Sequence, residues 1–168
     1  ATTTGFTTSD INAWPLFLTY LLLYAAIIGA CAGSTGGGMK VIRILLIFKQ
    51  GFREVQRLIH PKAVIPVKLG RNPVPDRVIE SVWGFFAVYV MAFLVMILAL
   101  VATGLDIISA FSAVGACINN LGPGLAEVSA TYGSIPTGAK WILCVAMLLG
   151  RLEVFTLLVL FTPMFWRR

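Results

Sequence analysis

Charged side chains are scarce in this chain of 168 residues: Asp, Glu, Lys and Arg together make up only 12% of it. Against 58% hydrophobic residues and a mean hydropathy of +0.91, so few charges cannot clothe a water-soluble domain, and lipid is the expected solvent. Histidine occurs once, as His60 beside Pro61 in a basic stretch, where a solvated or headgroup-facing side chain is expected rather than a ligand. The three cysteines, Cys31, Cys117 and Cys144, lie in apolar segments without metal-ligand spacing and read as small buried hydrophobes. No Ser/His/Asp set, metal cluster or pair of carboxylates can be assembled, so an enzyme is not expected. An acidic ring that would favour a divalent ion is missing too.

What is present is length without charge. Ala13 to Gly33 runs 21 residues uncharged, Trp83 to Leu105 runs 23, and Trp141 to Trp166 runs 26 with only Arg151 and Glu153 inside it. At about 1.5 Å per residue each exceeds the roughly 30 Å hydrocarbon layer, which predicts an all-α integral membrane protein. The opening "ATTTGFTTSD" has no basic n-region and no short apolar core, so it is not read as a signal peptide but as a chain entered in mid-motif. Nine of the 13 Lys and Arg fall between Lys40 and Arg77, none lies between Val78 and Gly138, and Arg167 and Arg168 close the chain. The positive-inside rule therefore puts residues near 50–77 and the C-terminus in the cytoplasm, with the loops around Gly5 and Gly122 on the other side. Because the basic patch flanks spans directly, topology explains it more cheaply than nucleic-acid binding does.

Along the chain, a first helix is expected from near Asp10 or Asn12, with Pro15 in its first turn. It meets "GSTGGGMK" (Gly33–Lys40), resumes at Met39 and continues as an amphipathic cytoplasmic end with Arg43, Gln50, Glu54 and Arg57 on one face. Residues 59–76, with four prolines in "PKAVIPVKLGRNPVPD", read as a cytoplasmic linker. A span over 77–103 follows. "DIISAFSAVGACI" (Asp106–Ile118) is helical in pattern, with Asp106 in a favourable first-turn position. At about 20 Å it is too short to cross, and Gly122, Pro123 and Gly124 forbid its continuation. A short uncharged helix followed by a Gly-rich return reads as a re-entrant pore loop; a surface helix, the alternative, would need a charged face. The last span is expected over 140–166. Gly5 and Gly122 stand 117 residues apart, and "ILLIF" (Ile44–Phe48) and "LLVLF" (Leu157–Phe161) stand 113 apart, so the chain looks like one complete span–helix–loop–span unit preceded by the loop and second span of another.

Irregular backbone at membrane depth is tolerated only beside protein or a water-filled cavity. Gly lets successive carbonyls be aimed inward, a ring of carbonyls replaces the hydration shell of an alkali cation, and the short helix directs its partly negative end at the loop. This chemistry favours K⁺ or Na⁺ over anions. The glycines of Gly33–Lys40 break a helix at roughly 1 kcal/mol each relative to Ala, a break that is cheap facing water and costly facing lipid. A phosphate loop is rejected, since Met39, Lys40 and Val41 follow Gly38 where Lys-Ser/Thr is required; a close helix-packing patch is the rival. Arg151, near the middle of its span, must face a cavity or a partner. Either it lies in an aqueous path or it pairs with a carboxylate elsewhere. Glu153, about 200° further round the helix, has a separate partner, with Lys40 and Arg43 as candidates.

Four segments in order, "TTTGFTTSD", "GACAGSTGGGMKVIRILLIF", "INNLGPGL" and "LLGRLEVFTLLVLF", together resemble the Trk/Ktr/HKT superfamily of potassium transporters, and within it the bacterial TrkH type. The resemblance implies four M1–P–M2 repeats in a pseudo-fourfold pore, of which this chain would hold the end of the third (1–58) and all of the fourth (77–168, with pore helix 106–118 and filter 119–124). It implies K⁺ coordinated by backbone at Thr4, Gly5, Asn120, Leu121 and Gly122, within a path lined by Thr3, Thr4, Gly5, Phe6, Asn119, Asn120, Leu121, Gly122 and Pro123. The gate would be Gly33, Ser34, Thr35, Gly36, Gly37, Gly38 and Lys40, with Arg151 beside it. K⁺ uptake across the bacterial inner membrane follows, with no bound cofactor, as does a homodimer carrying a cytoplasmic nucleotide-binding regulatory subunit of TrkA type. A Na⁺-permeable or Na⁺/H⁺-coupled symporter of the same fold, or a non-conducting assembly subunit, are the alternatives.

Overall fold

A computed structural model describes residue 5 and residues 14–29, 31, 37–63, 65–70, 72–129 and 131–152. Five helices carry the chain: α1 (Leu16–Ile28), α2 (Val41–Ile59), α3 (Asp76–Ala102), α4 (Ile107–Ile118) and α5 (Thr137–Arg151). α3 has 27 residues, about 40 Å at helical rise, and among the described residues it is the one helix long and apolar enough to cross a membrane. Its outer face bears Met91, Leu94, Val95 and Leu98, all exposed, as lipid-facing side chains are. Its inner face buries Ile79, Val82, Phe85, Tyr89, Met96 and Leu100.

The short helix α4 lies at the centre, packed against α1, α3 and α5. Ser109, Ala110 and the whole run Ser112–Ile118 are buried. Small residues make this possible, because Ala110, Ala113, Gly115 and Ala116 let neighbouring backbones close in, as helix packing in membranes requires. A methyl added at Gly115 would touch Leu23 of α1 at 3.4 Å. Asp106 stands one place outside the helix rather than in its first turn. As N-cap it accepts the Ile108 N–H at 3.2 Å, satisfying a donor the helix cannot.

The expected interruption between α1 and α2 is present, and wider than foreseen. α1 ends at Gly29 (φ 75°), and α2 starts only at Val41, because Gly38 (φ 90°) and Lys40 (φ 67°) hold left-handed backbone incompatible with helix. The expected start near Asp10 or Asn12 lies outside the described residues; Pro15 stands just before α1 and not in its first turn. α2 then runs to Ile59 with Gln50 buried and bonded to Glu54 at 2.7 Å. The linker contains a two-residue antiparallel ladder, Lys68–Leu69 (β1) with Asn72–Pro73 (β2), turning at Gly70 (φ 63°). Its apolar underside joins Leu46, Val67, Ile79 and Val82 in a small second core, while Arg53 of α2 meets Asp76 of α3 at 2.8 Å. Proline-rich composition hid this ladder, since Pro73 occupies an edge position where no N–H is needed.

Candidate functional site: a re-entrant loop and the glycines around it

α4 ends in a Schellman motif. Asn120 takes the left-handed position (φ 53°), the Leu121 N–H bonds the Ala116 carbonyl at 2.8 Å, and the Asn120 N–H bonds the Cys117 carbonyl at 3.0 Å. Asn is among the few non-Gly residues that tolerate this backbone. The chain therefore leaves α4 abruptly and passes through Leu121 to Gly122 (φ 102°). The negative end of the helix dipole is left facing the loop.

The loop is clamped from behind. Asn119 is fully buried; its Nδ2 donates to the Gly115 carbonyl at 2.7 Å and its Oδ1 accepts from Tyr89 Oη at 3.1 Å. Its side chain thus anchors the loop to its own helix and to α3. Ser112 Oγ accepts the Leu125 N–H at 3.0 Å, and Tyr132 Oη donates to the Gly122 carbonyl at 2.7 Å. One lone pair of that carbonyl is thereby occupied. Beyond the loop, the Gly124 N–H reaches the Val128 carbonyl at 3.0 Å.

Backbone from three other segments converges on these residues. Gly5 (φ 78°) lies so close that a β-carbon there would overlap the Leu121 carbonyl oxygen and come within 3.3 Å of Pro123 Cδ. Gly37, at the end of the α1–α2 interruption, abuts the Asn119 carbonyl in the same way. Gly150, one residue before Arg151, abuts the Ile118 carbonyl, and a β-carbon there would lie 2.9 Å from Asn120 Nδ2. The interruption is itself pinched shut at its base. Gly29 and Gly38 meet backbone to backbone, and the Met39 N–H bonds the Ile27 carbonyl at 3.1 Å.

The structure thus brings Gly5, Gly37, Asn119, Asn120, Leu121, Gly122 and Pro123 together, with Gly38 one residue behind. Lys40 supplies its carbonyl to Arg43 and Ile44 at the start of α2. Arg151 is exposed in the last described turn of α5. Thr3, Thr4, Phe6, Gly33, Ser34, Thr35, Gly36 and Glu153 lie outside the described residues. Sequence reasoning did not single out Gly150, Ser112, Tyr89 or Tyr132. Gly150 carried a signal, since glycine inside a helix costs about 1 kcal/mol against Ala and asks for a packing reason; the other three carried none. Among the described residues no cluster of His, Cys, Asp and Glu could hold a metal ion.

A long span, a buried half-length helix and a glycine return packed against a broken second helix define an integral membrane protein of the M1–P–M2 class. The family described as "TrkH: Cation transport protein" matches residues 1–168, and the chain belongs to that family. It is 61% identical over 168 residues to the Trk system potassium uptake protein TrkH of Halomonas elongata, covering all of this chain and 35% of that protein. With the Trk system potassium uptake protein TrkG of Escherichia coli K12 it shares 41% over 166 residues, 99% of this chain and 34% of the other. The crystal structure of the potassium transporter TrkH from Vibrio parahaemolyticus superposes with a TM-score of 0.90 at 60% identity, over 99% of this chain and 36% of that one. The chain therefore spans about a third of the length of these relatives, which are named as transporters and not as enzymes.

Proposed function

We propose that this chain supplies two of four walls of a K⁺ pore. The carbonyls of the Gly5 and Asn119–Pro123 loops strip water from the ion, and the Gly33–Lys40 segment gates passage directly beneath them. The carrying observation is the convergence of Gly5, Gly37 and Gly150 on four successive residues, Ile118 to Leu121. Three backbones meeting one helix terminus at membrane depth would strand polar groups unless water or an ion served them. Potassium is favoured as cargo by the relatives' names and by glycine at both filter positions. Within this reading, residues 1–58 close a third repeat and residues 77–168 form a fourth, completed by two further repeats of the whole protein. Arg151, one residue past the Gly150 contact, raises the barrier to cations at the pore's waist. The whole transporter sits in the bacterial inner membrane as a homodimer with its C-terminus in the cytoplasm. The basic surface of Lys49–Arg77 receives a nucleotide-binding regulatory subunit.

The test is uptake of radioactive Rb⁺ into liposomes holding the complete protein, with K⁺ and Na⁺ as competitors. Block by K⁺ and indifference to equimolar Na⁺ are expected. Equal competition by both ions, or no uptake, would sink the proposal.

A further inference from the structure

Behind the re-entrant loop, between α4 and α5, lies a cavity of about 360 Å³ bordered by Cys117, Gly122, Tyr132, Lys140 and Cys144. Its polar centre is Tyr132, whose hydroxyl bonds the Gly122 carbonyl at 2.7 Å and contacts Cys117 Sγ at 3.9 Å. The loop bearing this tyrosine is itself fixed on both sides. Thr131 Oγ1 accepts the Gly133 N–H at 3.1 Å, and Lys140 Nζ donates to the Gly133 carbonyl at 3.0 Å, tying the loop to the first turn of α5.

Gly122 needs such a restraint. At φ 102° it occupies backbone that only glycine enters freely, and nothing lies within 4 Å of where a β-carbon would be. No side chain packs Gly122 itself: the Leu121 carbonyl before it lies against Gly5, and the Gly122 carbonyl after it is held by the Tyr132 hydroxyl. A turned peptide plane would re-aim the filter carbonyls, whose number and direction determine which cation is held. We infer that Tyr132 is a positioning residue for ion discrimination: its hydroxyl pins the Gly122 carbonyl and so fixes the direction of that oxygen at the turn of the filter loop. Burial, then the neighbouring Cys117, push the hydroxyl above the ordinary tyrosine range. The inference rests on the pore reading above and adds the element that sets its selectivity.

The experiment compares Tyr132→Phe and Cys117→Val with the parent in the complete transporter, reconstituted and assayed for Rb⁺ uptake against Na⁺ competition. Tyr132→Phe is expected to keep Rb⁺ uptake but lose roughly fivefold in Rb⁺/Na⁺ discrimination, the size of one hydrogen bond that serves one ion and not the other. Cys117→Val, which leaves the Tyr132–Gly122 bond in place, should keep the parent's discrimination. An unchanged ratio in Tyr132→Phe, or an equal loss in both variants, overturns the inference. So does aggregation of Tyr132→Phe, because Phe preserves the ring, and a fold that needs the hydroxyl would give it a structural role. Absence of uptake by the parent would instead refute the pore reading on which it rests.

Discussion

Asn119→Ala tests whether the re-entrant loop is held by its anchor or merely accompanies it. Asn119 has 0% exposure and joins three pieces: by its side chain its own helix at the Gly115 carbonyl (2.7 Å) and α3 at the Tyr89 hydroxyl (3.1 Å), and by its backbone the α1–α2 interruption at Gly37. In a soluble core two such bonds contribute about 1 kcal/mol each, and the stranded Tyr89 hydroxyl costs about 1–3 kcal/mol more. In membranes cross-helix hydrogen bonds average nearer 0.6 kcal/mol, with about 1.7 as the upper end, because the partly unfolded chain finds other partners there. The membrane figure governs, so with the small void included Asn119→Ala should destabilise by about 2–3 kcal/mol. Tyr89→Phe alone should cost about 1 kcal/mol, and the double variant should recover about 1 kcal/mol of the sum, since removing both partners strands nothing. Melting of the complete transporter in detergent, followed by size exclusion after heating, gives the cycle. If the pore reading holds, Rb⁺ leak through the complete protein should rise in Asn119→Ala, because the carbonyl under Gly37 is no longer fixed. Strict additivity of the two substitutions, with unchanged leak, would refute the anchoring argument.

Gly150→Ala places a methyl on the Ile118 carbonyl, so α5 or the filter must move. Rb⁺ uptake should fall at least about tenfold, whereas Gly51→Ala, with nothing within 4 Å, should leave uptake intact and stabilise α2 by about 0.5–1 kcal/mol. Arg151→Ala should increase K⁺ flux in a normally folded protein; unchanged or lost flux would count against its gating part. Asp76→Asn breaks the 2.8 Å contact with Arg53, but Asp76 is 73% exposed, so its cost should stay below about 1 kcal/mol and vanish at high salt. A loss of several kcal/mol would show that this joint between α2 and α3 is buried in the whole protein.

The half-length of α4, its uncharged surface and the Gly122–Gly124 return could be read directly, because length against bilayer thickness and the steric limits of Gly and Pro are local properties of sequence. The helix break at Gly33–Lys40 was legible for the same reason. Its span was not, since the left-handed turn at Lys40 comes from tertiary contact of Gly38 with Ala26, Ile27 and Gly29 and not from any preference of lysine. Asn119 and Asn120 looked equivalent as amide neighbours of a filter glycine. The fold separates them: Asn119 turns inward to Tyr89, 30 residues away in sequence, and Asn120 takes the left-handed turn. Partners so distant leave no trace in local pattern. The same holds for Tyr132, one aromatic residue in a polar loop until its hydroxyl is seen on the Gly122 carbonyl.

The glycines at this junction divide into two physical kinds. Gly122 is required by conformation only: its φ is left-handed and its surroundings are open. Gly37 and Gly150 are required by proximity, with another backbone where a side chain would begin. Gly5 is required by both. Close backbone approach removes the room that side chains would need to shield a carbonyl. In lipid, an unshielded carbonyl must be answered by a donor or a cation. Of the carbonyls at this junction, that of Gly122 has its donor in Tyr132. Those of Ile118, Asn119 and Leu121 lie instead against Gly150, Gly37 and Gly5, whose α-carbons are not strong donors. Carbonyl oxygens gathered against glycine backbone at the negative end of a helix make a spot that is electrostatically suited to a cation and unsuited to an anion.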